Sequence, residues 1–197
     1  MSGDYFIYCD CGLRHAGVLD RKPDLIVGDF DSYPDPRKGV SPLSGELPEV
    51  IALPREKDDT DTAFAVKEGL RRGFEEFVLV GAIGERFDHS LGNVQLLYML
   101  DRLGKKAVLL DDYSEIEVVS DMATVSDEYP YFSLLCISEK AEGVTITGAK
   151  YGLDDAGLDC DFPLGVSNEP LPGKTAEITV KKGRLLLVRV IDKNRSV

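Results

Sequence analysis

The stretch L-I-V-G-D-F-D-S-Y-P-D-P, residues 25–36, runs three apolar residues into a glycine, then into two aspartates, Asp29 and Asp31, and then into a proline-punctuated turn. A short apolar run bounded by turn residues reads as a buried strand. Two carboxylates at its end repel each other unless something offsets the charge. Three explanations are open at this point: a cation between them, a nucleophile with its acid, or a solvated turn.

The surrounding pattern says what kind of strand this is. Residues 5–8, 50–53, 77–80 and 107–110 are further short apolar runs, and two helical patterns lie between them. The first, residues 60–72, carries Ala63, Val66 and Leu70 on one face, with Asp58 and Asp59 placed to cap it and Gly73 to stop it. The second, residues 90–103, has Val94, Leu97, Tyr98 and Leu100 and so little polar face that the pattern predicts a largely buried helix. Strand and helix in alternation predict a mostly parallel, Rossmann-like α/β sheet with flanking helices over residues 1–112. Beyond Asp112 the grammar changes. Strand-like runs at 115–119, 131–137, 144–147, 176–180 and 185–190 are separated by turns such as Lys182-Gly183, without a convincing helix. Residues 113–197 are therefore predicted to form an antiparallel β-sandwich domain.

Bulk properties narrow the chemistry. The 197 residues carry a net charge of −12, which opposes general affinity for nucleic acid or an anionic membrane. No apolar run approaches the roughly 20 residues of a membrane span, and Asp4 and Asp10 stand where a signal peptide would need apolar residues. The four cysteines have no C-x-x-C spacing, consistent with reduced thiols in a cytoplasm. A zinc site on Cys9, Cys11 and His15 would lack a fourth ligand.

In doubly wound sheets, ligands gather at the carboxyl ends of the strands. Four polar groups follow predicted strands: Asp10, the pair Asp29 and Asp31, the E-K-D-D-T-D-T of residues 56–62, and the G-E-R-F-D-H of residues 84–89. If those strands are parallel, all four lie on one edge. Such a site suits phosphoryl or nucleotidyl transfer, with Mg²⁺ held by Asp29, Asp31 and Asp61. Lys57 and Arg86 would supply positive charge beside a polyphosphate. His89 is either a base or a helix-start hydrogen-bonder, and Asn93, one turn later on an apolar helix, is either a ligand or a structural amide.

Taken in order and spacing, P-D-L-I-V-G-D-F-D-S, K-D-D-T-D-T and G-E-R-F-D-H-S-L-G-N-V-Q-L-L resemble the thiamine pyrophosphokinase family. The G-A-K-Y-G-L of residues 148–153 and the V-S-N-E of residues 166–169 resemble that family's β-domain segments. The resemblance implies transfer of diphosphate from ATP to thiamine with Mg²⁺, in an α/β catalytic domain followed by a β-sandwich that helps hold thiamine. It implies that Asp29, Asp31 and Asp61, joined by Asp10, are metal and phosphate-site carboxylates. It also implies that Thr60, Arg86, Asp88 and His89 line the nucleotide site, that Ser167 and Asn168 face thiamine, and that the protein is a homodimer with active sites at the subunit interface. Family members usually open with an extra strand and a glycine-containing loop ahead of the segment that begins here at Tyr5, so about one βα unit is expected to be missing. The family's Asp-Gly-Gly or Asp-Lys-Gly is here Asp10-Cys11-Gly12. Two alternatives stand beside this reading. One is a thiamine- or nucleotide-binding protein that has lost catalysis. The other is a haloacid-dehalogenase-like phosphatase with Asp29 as nucleophile and Asp111-Asp112 as its later acidic pair.

Overall fold

The structure, a computed structural model, describes residues 3–19, 21–30, 48–56, 58–84 and 86–191. The chain divides into two compact units, Met1–Phe74 and Glu75–Val197. In the first, three short strands, β1 (Ile7–Cys9), β2 (Leu25–Gly28) and β3 (Glu49–Ala52), pair in parallel in the order β1-β2-β3. The central strand is the opening motif. Leu25, Ile26 and Val27 are wholly buried, each burial contributing about 1.5–3 kcal/mol. A 3₁₀ turn (Asp10–His15) leads from β1 into the short helix α1 (Ala16–Leu19). After β3 comes helix α2 (Asp61–Arg71), which buries Ala65, Val66, Glu68 and Gly69.

The cap of α2 differs from the sequence expectation. Thr60, not Asp58 or Asp59, is the N-cap, and its hydroxyl accepts from Ala63 N at 3.1 Å. Asp59 instead takes the Lys67 ammonium at 2.7 Å. Gly73 does end the helix, at φ +87°. Near that end sits an unusual buried charge. Glu68, 7 % exposed, accepts from Arg71 and Arg72 at 2.6–2.7 Å, while Arg72 also reaches Glu49 Oε2 and the Tyr5 hydroxyl. One helix end is thereby tied to β3 and to the chain entering β1.

The second unit begins with β4 (Glu76–Val80), helix α3 (Phe87–Arg102) and β5 (Lys106–Leu110), then continues through β6 (Ser114–Val119), β7 (Met122–Val125), β8 (Tyr131–Cys136), β9 (Lys140–Thr147), β10 (Leu153–Asp159), β11 (Gly165–Asn168), β12 (Ala176–Thr179) and β13 (Leu185–Val190). These strands form a six-stranded sheet, β11-β8-β13-β6-β5-β4, and a four-stranded sheet, β10-β9-β12-β7. Only β4 and β5 pair in parallel there; β5 meets β6 antiparallel, and every later ladder is antiparallel. The fold is thus mixed α/β, with a parallel three-stranded sheet and antiparallel sheets. One apolar cluster draws Val119, Phe132, Leu134, Leu185 and Leu187 from the larger sheet and Val125, Val144, Ile146, Leu158 and Ile178 from the smaller. Arg189 on β13, 7 % exposed, adds a polar tie: it donates to Glu115 and Glu117 on β6 and to Thr124 O on β7.

Three expectations change here. Helix α3 starts a turn earlier than its apolar pattern suggested and buries only Asn93, Leu97 and Leu100, while Phe87, Leu91 and Leu103 are exposed. It packs one face on β5 and β6 and is not enclosed. Strands β7, β10 and β11 have no apolar run to announce them. The sequence of β10 is L-D-D-A-G-L-D, at the edge of its sheet and broken by two register shifts. Finally, β4 belongs to the six-stranded sheet and not to β1-β2-β3, so the fourth polar group does not follow a strand of the same sheet as the first three.

The buried Glu68 makes stability depend on acid. Hydrogen bonds from Arg71, then Arg72, overcome desolvation and hold its carboxyl at about 2, below the ordinary 4.5. A depressed carboxyl stabilises the fold above its unfolded value, and that contribution is lost as pH falls from about 4.5 through about 2. Glu68→Gln is expected to cost about 1.5–3 kcal/mol at neutral pH and to flatten the acid slope of stability between those values. Urea titrations across that range check this; an unchanged slope would show that Glu68 does not set it.

Candidate active site

The first unit assembles carboxylates at one end of its parallel sheet. Asp10 follows β1 directly, Asp29 follows β2 directly, and Asp61 opens α2 after β3. Their closeness has visible causes. A Cβ on Gly28 would lie 3.2 Å from both Cα and Cβ of Asp10 and 3.3 Å from its nitrogen, so a side chain there would need the Asp10 backbone to give by a few tenths of an ångström. The Cys9 thiol donates to Asp61 O at 3.6 Å, joining the end of β1 to the start of α2. Asp10 and Phe30 both hold left-handed backbones, φ +38° and +57°. Non-glycine residues persist there only when their surroundings impose it, and such positions cluster at functional sites.

The Oδ1 oxygens of Asp10 and Asp61 are shut away from solvent. Asp61 lies in the first turn of α2, where peptide N–H groups favour negative charge. A helix start of that kind also suits a phosphate. Among the described residues, no group of three His, Cys, Asp or Glu side chains could hold a metal ion. Mg²⁺ asks for less: one or two carboxylates, with water and substrate phosphate completing its octahedron. The donor chemistry of Asp29 and Asp61 fits that demand. Asp31 and Lys57, both singled out from the sequence, lie outside the described residues.

The second unit carries the other named residues in two places. At the start of α3, Arg86, Asp88 and His89 are all exposed. Arg86 grips Asp88 through Nε and Nη2, at 3.2 and 2.6 Å. That guanidinium holds the Asp88 carboxyl below its usual range. An ion pair this exposed is held only weakly against water, so Arg86 can exchange it for a phosphate at little cost. Asn93, one turn further in, is 8 % exposed and donates from Nδ2 to Ala82 O at 2.7 Å. Of the two roles open to it, the structural one is what this bond shows: it pins the loop between β4 and α3. Ser90 adds to that loop, accepting from Gly84 N at 3.2 Å.

The third group lies on β11. Ser167 is exposed at φ +61°, and Asn168 is buried with its amide bonded to Tyr151 and Glu169. Sequence reasoning named both, but it did not identify Ser133, whose hydroxyl accepts from Ser167 N at 3.0 Å. A serine inside an apolar strand such as Y-F-S-L-L-C was the only available signal. Asp111, the first of the acidic pair that a phosphatase would need, is otherwise engaged. Asp111 Oδ1 accepts from the Tyr113 and Ser114 nitrogens and shapes the turn between β5 and β6.

Comparison with known proteins bears on the same segments. A family model described as "Thiamin pyrophosphokinase, catalytic domain" matches residues 2–109, and one described as "Thiamin pyrophosphokinase, vitamin B1 binding domain" matches residues 115–185. The chain is 30 % identical over 183 residues to the thiamine pyrophosphokinase of Bacillus subtilis, covering 91 % of this chain and 83 % of that protein. It is 31 % identical over 160 residues to thiamine pyrophosphokinase 1 of rice, covering 75 % of this chain and 59 % of the rice protein. Among solved structures, a thiamine pyrophosphokinase from Bacillus subtilis superposes with a TM-score of 0.85 at 27 % identity, over 98 % of this chain and 90 % of that one. One from Geobacillus thermodenitrificans gives 0.81 at 27 %, with the same coverage.

The geometry around α3 separates props from surface groups. Asn93→Ala strands Ala82 O and is expected to cost about 1–3 kcal/mol, whereas His89→Ala on the exposed first turn should stay within about 0.5 kcal/mol. Urea unfolding of both variants measures this; equal losses would contradict the assignment.

Proposed function

The chain belongs to the thiamine pyrophosphokinase family, and from that premise we propose that it moves diphosphate from ATP to the hydroxyl of thiamine, releasing AMP and thiamine diphosphate. The observation that carries this reading is the pairing of a catalytic-domain match with a vitamin B1-binding match along one chain, each spanning the motifs named above. Residues 1–112 are assigned to ATP and catalysis. Residues 113–197 are assigned to an antiparallel β-sandwich that binds thiamine, a reading supported by an apolar cluster shared by the two sheets.

The thiamine oxygen attacks the β-phosphorus in line; the bond from that phosphorus to the α-phosphate oxygen breaks, and AMP leaves with its electrons. Most of the acceleration in such a transfer comes from positioning and charge stabilisation. Asp29, Asp31 and Asp61 are assigned as holders of Mg²⁺, with Asp10 beside them. When bound, the cation would draw charge from the diphosphate as it moves. Lys57 and Arg86 are assigned to the phosphates, Thr60 and the first turn of α2 to backbone contacts with them, and Asp88, His89 and Asn93 to shaping the nucleotide side. Either Asp31 or Asp61 receives the hydroxyl proton. Ser167 faces thiamine.

No helix among the described residues is long and apolar enough to cross a membrane. With the net charge of −12 this supports a cytoplasmic enzyme that binds neither nucleic acid nor membrane. Exposed Phe162, Leu164 and Val166, along the edge strand β11 and the turn before it, support a homodimer.

Incubating the protein with ATP, Mg²⁺ and thiamine should yield AMP and thiamine diphosphate in equal amounts. Thiamine binding without AMP would leave only a binder, and phosphate release from a phosphomonoester would favour a phosphatase. Asp31→Asn should lose most of kcat, by about 10²-fold or more, with an unchanged unfolding midpoint. Near-normal turnover would remove Asp31 from the mechanism.

A further inference from the structure

Asn168 stands next to the residue assigned to thiamine, yet its side chain faces the protein. It is 5 % exposed. Its Oδ1 accepts from Tyr151 N at 3.0 Å and from Glu169 N at 2.9 Å, which fills both lone pairs of a carboxamide oxygen. Its Nδ2 donates back to Tyr151 O at 2.8 Å. The amide thus imitates a strand partner, gripping both polar backbone groups of a residue seventeen positions away. The same two segments are stitched further along: Lys150 N donates to Glu169 O at 2.8 Å, Leu171 N donates to Gly148 O at 2.9 Å, and the Lys150 and Glu169 side chains pair at 2.7 Å. The two β-domain motifs, G-A-K-Y-G-L and V-S-N-E, are therefore halves of one clamp.

What the clamp holds is the conformation of Ser167. Strand β11 pairs with β8 through Gly165 to Leu134 and Asn168 to Phe132, three steps along β11 against two along β8. One extra residue bulges, and a bulge re-aims a side chain out of the ladder. Ser167 takes that strain at φ +61°, and its side chain is exposed. The bulge is fastened on both sides: the Ser133 hydroxyl accepts from Ser167 N at 3.0 Å, and Asn168 anchors the next residue to Tyr151. Tyr151, whose backbone the same amide holds, is 59 % exposed.

We infer that Asn168 is a positioning residue for the thiamine end of the reaction: without touching thiamine, its amide locks the bulge that presents the Ser167 hydroxyl by tying it to the backbone of Tyr151. This rests on the reading that thiamine binds against Ser167. Losing the clamp lets the left-handed Ser167 relax, so binding of thiamine suffers while the nucleotide does not.

Steady-state kinetics with ATP, Mg²⁺ and thiamine on Asn168→Ala, Asn168→Asp, Ser133→Ala and Ser167→Ala, with unfolding midpoints, test it. Asn168→Ala should raise KM for thiamine by about tenfold or more, with KM for ATP unchanged. Asn168→Asp keeps both accepted bonds but sets a carboxylate oxygen where Nδ2 donated to Tyr151 O, so it should raise KM for thiamine in the same direction. Ser133→Ala should move KM for thiamine in the same direction by a smaller factor. If Asn168→Ala does not fold, the Asp and Ser133 variants carry the comparison, and unchanged KM values in both overturn the proposal. A lower midpoint with both KM values unchanged, or a parallel rise in both, makes Asn168 a structural prop and overturns it too. If Ser167→Ala also leaves KM for thiamine untouched while turnover persists, the siting of thiamine at Ser167 fails as well. If Ser167→Ala alone raises it, that siting stands and only the positioning role falls.

Discussion

The approach of Gly28 to Asp10 is the contact on which the first unit turns. It lets β2, buried along its whole length, end flush against the residue that leaves β1. The same strand end then delivers Asp29, while the Cys9 thiol draws the start of α2, and with it Asp61, toward β1. A parallel sheet puts all its carboxyl ends on one side, so three turns that would be unremarkable alone become one acidic edge. In a chain of net charge −12 that edge has no reason to attract an anion unless a cation mediates. The proposed Mg²⁺ answers that constraint, and a polyphosphate is what the cation would then hold.

The second unit meets a different requirement: exposed groups must be aimed without apolar packing to fix them. It does so with buried amides. Asn93 pins the loop ahead of the α3 start that carries Arg86, and Asn168 pins the bulge that carries Ser167. A carboxamide offers donors and an acceptor on one rigid plane, so a single side chain can satisfy backbone groups that no ladder reaches. Both asparagines were picked out of the sequence for standing in apolar or motif surroundings. Both turn out to grip main chain.

Much of this was legible in the sequence where periodicity and charge carry information. The run 25–27 reads as a buried strand, one residue short of β2, and the helical pattern over 60–72 matches Asp61–Arg71 to within a residue at each end. What escaped reading had little apolar signal or needed distant pairing. The β10 sequence is acidic and twice bulged, so neither alternation nor β-propensity marks it. The membership of β4 in the larger sheet depends on β5 turning back antiparallel into β6, which a turn at Asp111 decides and local pattern does not. The N-cap went to Thr60 because Asp59 is claimed by Lys67, a competition between neighbours that a motif cannot express.

The central claim is that the acidic edge of β1-β2-β3 binds nucleotide through a shared divalent cation. Isothermal titration of a non-hydrolysable ATP analogue, with Mg²⁺ and then with EDTA, tests it on the intact protein without turnover. Binding should be clear with Mg²⁺, weaker by about a hundredfold in EDTA, and similarly weak in Asp61→Asn under either condition. Equal affinity in Mg²⁺ and EDTA would contradict the claim, because a carboxylate edge without its cation repels a polyphosphate.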